Sequence, residues 1–194
     1  MTSDQVIDRF KQTGALLQGH FLLSSGLHSS VYLQCAIALQ HTADATAFGA
    51  AIASKFRDLE IETVAAPAIG GLVIGYEVAR QIGARFIWTE RDSGVMTLRR
   101  GFTLRPGERL LVVEDVITTG GSTRDTIDAL RAASAEIVAA ASIIDRSGGQ
   151  AEVGVPRVSL ATLQVAAVTP DACDACQRGE PLVKPGSRKS NASA

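Results

Sequence analysis

Apolar positions along this chain come as short unbroken runs separated by helix-spaced stretches and by glycine or proline breaks. Residues 63–66 are a brief apolar run ending at Pro67, which suits a buried strand, and Gly70-Gly71 then breaks it. Residues 72–82 place Leu72, Ile74, Gly75, Val78, Ala79 and Ile82 at helical spacing, and Gly83 stops the helix. A second strand is predicted at 86–89. Residues 91–105 are polar and basic with no sustained period, a long loop or hairpin closed by the turn Pro106-Gly107. Residues 110–113 have no polar interruption, as expected of a strand covered on both faces. A helix follows at 122–133, with Ile127 and Leu130 on one face, then strands at 137–144 and 158–165. Strand, loop, helix and strand at this spacing give βαβ units and an α/β fold: a mostly parallel sheet flanked by helices. Ligands of such sheets sit beyond the carboxyl ends of the strands.

The N-terminal part has a different texture. Helices are predicted at 4–11 and 46–59, with an irregular, serine-rich stretch between them at 20–33, read as a hood over the ligand edge of the sheet. After about residue 168 the chain turns rich in Pro, Gly, Asp and Cys. The expected organisation is one domain over 1–194: a hood or N-terminal segment at 1–42, a core sheet at 61–168 and a frayed tail at 188–194.

Composition narrows the function classes. The 194 residues are 46% hydrophobic and 20% charged, as in a globular protein, and formal net charge is −1. No overall field favours nucleic acid or an anionic membrane, so an anion must be caught by local geometry. No apolar run approaches the roughly 20 residues needed to span a bilayer. The polar, amphipathic first residues do not read as a secretory signal, which leaves a cytoplasmic location as the expectation. Three cysteines do not make a disulfide framework. Cys173 and Cys176 have zinc-knuckle spacing, but one pair cannot fill a tetrahedral site and no histidine follows it. A terminal loop with two thiols is the plainer reading, with a zinc shared between chains or a redox pair as the alternatives. No metal ligand is assigned.

The chemistry concentrates after the third core strand. An apolar strand delivers two adjacent carboxylates, Glu114 and Asp115. Two β-branched residues, Val116 and Ile117, follow, and then Thr118-Thr119-Gly120-Gly121-Ser122 opens directly into a helix. The glycines allow a tight turn that aims successive N–H groups at one point. The helix N-terminus adds free N–H groups and positive dipole. Three hydroxyls add donors, which completes a phosphate cradle. The carboxylates would repel phosphate and are acceptors suited to vicinal hydroxyls of a sugar. No lysine follows the glycines, as a P-loop requires, and no Gly-x-Gly-x-x-Gly is present in this loop. An ordinary turn with Ser122 as N-cap would need far less than this.

Residues 112–123 resemble the phosphoribosyl pyrophosphate motif of the type I phosphoribosyltransferases. The resemblance implies their fold, a central parallel sheet with a variable hood. It also implies that Glu114 and Asp115 hold the ribose hydroxyls and that residues 118–122 hold the 5-phosphate. Further segments are similar to the orotate phosphoribosyltransferases. Residues 20–32 look like their orotate-site segment, Phe-x-Leu-x-Ser-Gly-x-x-Ser, and Pro67-Ala68-Ile69-Gly70-Gly71 like their pyrophosphate loop. Glu90-Arg91 through Phe102 look like their mobile loop, Asp145-Arg146-Ser147 like the Asp-Arg that meets the base, and residues 173–188 like the tail of one branch.

The resemblance implies transfer of phosphoribose from phosphoribosyl pyrophosphate to orotate in pyrimidine biosynthesis, with Mg²⁺ and a homodimer. Asp115 and Arg91 are then expected to be catalytic, Glu114 to Ser122 to bind the donor, and Thr118 and Arg146 to bind orotate, whose carboxylate matches a guanidinium fork. Ser25, Gly26 and Tyr32 are candidates to line the base site, and Arg99 and Arg100 are candidates to assist Arg91. The chain departs from the family pattern in having Ile69 and Gly70 where many members carry a lysine, and Asp92 and Ser93 where many carry basic residues. Alternatives are transfer to uracil or a purine, or a non-catalytic sensor of the donor. A sensor should carry a basic nucleic-acid-binding segment, which this chain lacks.

Overall fold

The computed structural model describes residues 1–23 and 25–185; the expected tail at 188–194 and Ser24 lie outside the described residues. Helix α1 (Ser3–Gln12) opens the chain with a capping box, Thr2 and Gln5 each bonding the other's backbone N–H. Strands β1 (Leu16–Leu22) and β2 (His28–Leu33) pair antiparallel. Helices α2 (Cys35–Leu39) and α3 (Thr42–Ala53) follow, then a 3₁₀ turn at Ser54–Phe56. The core runs β3 (Thr63–Pro67), α4 (Gly71–Ile82), β4 (Arg85–Asp92), β5 (Val95–Leu98), β6 (Arg109–Ile117), α5 (Gly121–Ala132), β7 (Glu136–Asp145) and β8 (Arg157–Thr162). A short β9 (Ala167–Val168) and helix α6 (Asp174–Gln177) complete it.

The main sheet has the order β5-β4-β3-β6-β7-β8, parallel except for β5. Its central strand is buried on both faces, as an unbroken apolar run requires. Leu111 and Val113 join the larger core, where Val6, Phe10, Phe48, Ile52, Ile74 and Val78 pack from α1, α3 and α4. Leu110 and Val112 point the other way, to Ile127 and Leu130 of α5. Gly71 and Gly75 let α4 lie close on the sheet. A Cβ at Gly71 would sit 2.9 Å from the Val113 carbonyl oxygen, and one at Gly75 2.6 Å from the Phe86 ring. Among the described residues no helix is long and apolar enough to cross a membrane.

The α/β class and the core elements stand where the periodicity puts them, with three departures. Residues 20–33 are not irregular but hold the end of β1 and all of β2. A register shift between Gln18 and Phe21 breaks the alternation that would have marked a strand. The last core strand stops at Thr162 rather than 165, because β7 ends at Asp145 and offers no further partner. The helix read at 46–59 spans Thr42–Ala53 and tightens into the 3₁₀ turn. The hood sheet, β1-β2-β9, also draws on the C-terminal part of the chain, since His28 and Ser29 pair with Val168 and Ala167.

Candidate active site

Strand β6 runs on past the apolar stretch through Ile117, because its ladder with β7 continues to the pairs Val116–Ile144 and Ile117–Asp145. Glu114 and Asp115 are therefore strand residues rather than the start of a loop. Beyond them Gly120 takes a left-handed φ of 77° as the N-cap of α5, and a Cβ there would lie 2.9 Å from Val153 Cγ1. No side chain caps α5, so Ser122 is not the N-cap and the first N–H groups of the helix remain available to a ligand. Helix α4 likewise starts at Gly70 without a side-chain cap.

These features enclose a cleft of about 310 Å³. It is lined by Pro67, Ala68, Gly70, Thr123 and every residue from Glu114 through Asp115, Val116, Ile117, Thr118, Thr119, Gly120 and Gly121 to Ser122. Gly70 is needed for this closeness, since a Cβ would meet Asp115 Oδ1 at 2.8 Å. One wall is thus a helix N-terminus with hydroxyls and the other a carboxylate pair, as a ligand carrying both phosphate and a diol requires.

The carboxylates are strongly perturbed. Burial, and then the charge of Asp115, push the Glu114 carboxyl up to about 9. Asp115 is pushed up too, chiefly by burial, although the Val116 N–H donates to its Oδ1 at 2.7 Å. Two buried neighbouring carboxylates resist joint ionisation, so the pair holds a proton near neutral pH. Cys35, buried at the start of α2, lies beside Asp115. Burial first, then Asp115, raise its thiol well above its ordinary range. Sequence reasoning missed this neighbour, because nothing local to Cys35 signals contact with a strand end so distant in the chain.

A second, wider pocket of about 850 Å³ shares Thr118 and Thr119 with the cleft and extends beneath the hood. Its other lining residues include Ser25, Tyr32, Arg146 and Lys184. Thr118 and Arg146, expected to act together, are thus brought together; Gly26 is not among the lining residues. Asp145 is the buttress of Arg146. It accepts from the Ser147 N–H at 2.7 Å, Ser147 Oγ at 2.6 Å, the Gly149 N–H at 3.1 Å and Arg157 Nη1 at 2.8 Å. Burial works to raise the Asp145 carboxyl, but these donors outweigh it and hold it below the usual range. Arg146 itself keeps a buried Nε without a hydrogen-bond partner, and it makes no ion pair among the described residues. A guanidinium that lines a pocket without a carboxylate partner of its own is suited to an external acceptor. Lys184 was not singled out from the sequence; only folding the C-terminal segment back under the hood brings it here.

Arg91 lines neither cavity. It sits near the end of β4, in the hairpin closed by Ser93 and Gly94, both with positive φ as a two-residue hairpin turn demands. Its Nη2 donates to Asp125 of α5 at 2.7 Å. Arg100 pairs with Glu90 at 2.7 Å, and Arg99 lies 3.7 Å from Asp92. Within one chain this arm is turned onto its own acidic residues.

Comparison with known proteins points one way. Residues 39–171 match the phosphoribosyl transferase domain family. The chain is 50% identical over 189 residues to an orotate phosphoribosyltransferase of Caldicellulosiruptor bescii, covering 97% of this chain and 100% of that one. It is 48% identical over 189 residues to one of Pelotomaculum thermopropionicum, with the same coverage. The crystal structure of orotate phosphoribosyltransferase from Aeropyrum pernix is similar in fold, with a TM-score of 0.67 and 28% identity over 82% of this chain and 94% of that one.

Proposed function

This chain belongs to the orotate phosphoribosyltransferase family, and from that premise we propose how its two cavities divide the reaction. The protein transfers the 5-phosphoribosyl group of phosphoribosyl pyrophosphate to orotate, giving orotidine 5′-phosphate and pyrophosphate in pyrimidine biosynthesis. The narrow cleft takes the phosphoribosyl half. Thr118, Thr119, Gly120, Gly121 and Ser122, with the uncapped end of α5, receive the 5-phosphate, while Glu114 and Asp115 accept from the ribose hydroxyls. The wide pocket takes orotate, with its carboxylate on Arg146 and its ring against Thr118. Thr118 and Thr119 line both cavities, so the two substrates meet there.

The bond between C1 of the ribose and pyrophosphate loosens first, its electron pair leaving with pyrophosphate. A ring nitrogen of orotate then closes on the electron-poor C1, its N–H proton passing to the departing pyrophosphate or to solvent. Such a step needs placement and fixed charge rather than a covalent nucleophile, and no nucleophile is assigned. Mg²⁺, bound with the donor beside Glu114 and Asp115, would neutralise the leaving charge. The buried, proton-sharing pair fits such a neighbour, since a cation or hydroxyl donors would relieve its repulsion.

Arg91, helped by Arg99 or Arg100, is proposed to cover the pyrophosphate of a partner subunit in a homodimer. Two observations support this: Arg91 lies away from its own cleft, and α4 leaves Val73 and Tyr76 about half exposed beside the exposed Ile69, an apolar strip at helical spacing.

The observation that carries the reading is Arg146, without an ion-pair partner among the described residues, lining a pocket that shares Thr118 and Thr119 with the phosphate loop. Steady-state kinetics of Arg146→Ala test it. Loss of a charge-assisted pair should cut kcat/KM for orotate roughly 10- to 100-fold, with KM for phosphoribosyl pyrophosphate little changed. Unaltered orotate kinetics would remove Arg146 from the base site.

A further inference from the structure

His20 of β1, His28 of β2, and Cys173 and Cys176 of the C-terminal segment converge under the hood, with all their ligand atoms within 4.8 Å of one another. His20 Nε2 lies 2.9 Å from His28 Nδ1, 3.4 Å from Cys173 Sγ and 3.6 Å from Cys176 Sγ, and His28 Nδ1 lies 3.2 Å from Cys176 Sγ. Zinc bonds of about 2.0–2.1 Å to nitrogen and about 2.3 Å to sulfur define a tetrahedron with edges of about 3.3 Å between nitrogens and about 3.5 Å between nitrogen and sulfur. The four close spacings fall within a few tenths of an ångström of those edges. Residues 173 and 176 supply half of a closed site by their spacing, and the hood hairpin supplies the other half.

We propose that His20, His28, Cys173 and Cys176 bind a structural Zn²⁺ that staples the C-terminal segment to the hood. The tautomer is prepared for it. His20 Nδ1 lies 3.0 Å from the Glu180 carbonyl oxygen, an acceptor that holds the proton on Nδ1 and leaves the Nε2 lone pair facing the cluster. Three of the four residues are buried, and two thiolates with one Zn²⁺ make a centre of zero net charge, the form that burial tolerates. Binding releases the two thiol protons to solvent and leaves both imidazoles neutral. Four protein ligands leave no open position, so the metal holds structure and does no chemistry.

The segment has little apolar anchorage of its own. It leaves the hood sheet at Val168, opposite His28, and returns at Val183, whose N–H donates to the His20 carbonyl at 2.9 Å and whose carbonyl accepts from Leu22 at 2.8 Å. Among residues 169–182, all described, Cys173 is the only buried side chain. An excursion with so little apolar burial gains order from a cross-link instead. Where it returns, Lys184 and Pro185 line the pocket that holds Arg146. The metal would thus fix the roof of the base-side pocket.

Metal analysis of the untagged full-length chain, after dialysis against a weak chelator, tests this directly. About one zinc per chain is expected. Replacement by Co²⁺ should give a thiolate charge-transfer band and the intense visible bands of a tetrahedral site. Cys176→Ser, at an exposed position, should lose both the zinc and the cobalt spectrum. A strong chelator should lower Tm of the parent protein by roughly 5–10 °C and leave that of the variant unchanged. Metal-free parent protein that gives only a weak octahedral cobalt spectrum would overturn the proposal. So would a Cys173–Cys176 disulfide in the isolated protein, or zinc retained equally in Cys176→Ser.

Discussion

Residues 114–122 reach the donor cleft as one contiguous run, whereas His20, His28, Cys173 and Cys176 meet from three separated segments of the chain. The cleft rests on a deeply buried strand of the sheet, with Leu110, Leu111, Val112 and Val113 fully enclosed beneath it. The hood beyond the wide pocket is a short three-stranded sheet with a bulged hairpin. On the proposed assignment, donor recognition falls to a closely packed end of the core. On the same proposal, base recognition draws on parts held from outside the core: Arg146, next in the chain to the anchored Asp145, and the hood segment that the proposed metal would pin.

The largest effect should come from the rigid side. Asp115→Asn keeps the shape of the side chain but removes a fixed charge from the reacting ribose, so kcat should fall by roughly 10²-fold or more. Stability should be kept or raised above neutral pH, since one of two repelling carboxylates is gone. Circular dichroism melts beside the rate assay would expose the opposite outcome, a variant that is inactive because it is unfolded.

Arg91→Ala should cost less, roughly tenfold in kcat, with Tm almost unmoved, because its partner Asp125 is about half exposed. If Arg91 serves the neighbouring subunit, mixing Arg91→Ala with Asp115→Asn should restore activity through mixed dimers that keep one intact site. No regain on mixing would place Arg91 in its own subunit's reaction or in none. Gly120→Ala tests the loop backbone. A Cβ at a φ of 77°, 2.9 Å from Val153, should lower Tm by roughly 3–8 °C and raise KM for the donor severalfold while sparing KM for orotate.

The remaining effect is on the pH dependence of stability rather than on rate. The Glu114 carboxyl is raised from an ordinary value of 4.5 to about 9 by folding, so the native state holds a proton that the unfolded chain gives up. The stabilisation is complete below about 4.5 and is lost as pH climbs toward 9. Without ligand, Tm should therefore decline between about pH 5 and 9, and Glu114→Gln should flatten that decline. Asp145 has the opposite sign: its lowered carboxyl gives stability that is lost only as pH falls below the ordinary Asp range. A melt series across both windows separates the cleft from the base-side buttress.

What could be read from the chain follows the same divide. The cleft formed by residues 114–122 is legible because its parts are adjacent: an apolar strand, two carboxylates, two glycines and a helix start. The core strands were legible because burial on both faces writes itself as unbroken apolar runs. The hood was not, since the register shift after Gln18 erases the alternation of β1 and β9 is only two residues long. The proximity of Cys35 to Asp115, of Lys184 to Arg146, and of two histidines to a Cys-x-x-Cys pair arises from folding alone. For the last, the histidines lie far ahead of the cysteines in the chain, so no local ligand spacing marks the cluster.

The division of the site into a phosphoribosyl cleft and an orotate pocket is tested most directly by one assay. Absorbance is followed with phosphoribosyl pyrophosphate, Mg²⁺ and a panel of bases. Loss of the orotate signal that depends on both substrates, with no turnover of uracil or hypoxanthine, is the expected result. Turnover of uracil or hypoxanthine without orotate, or no reaction with any base, would contradict it.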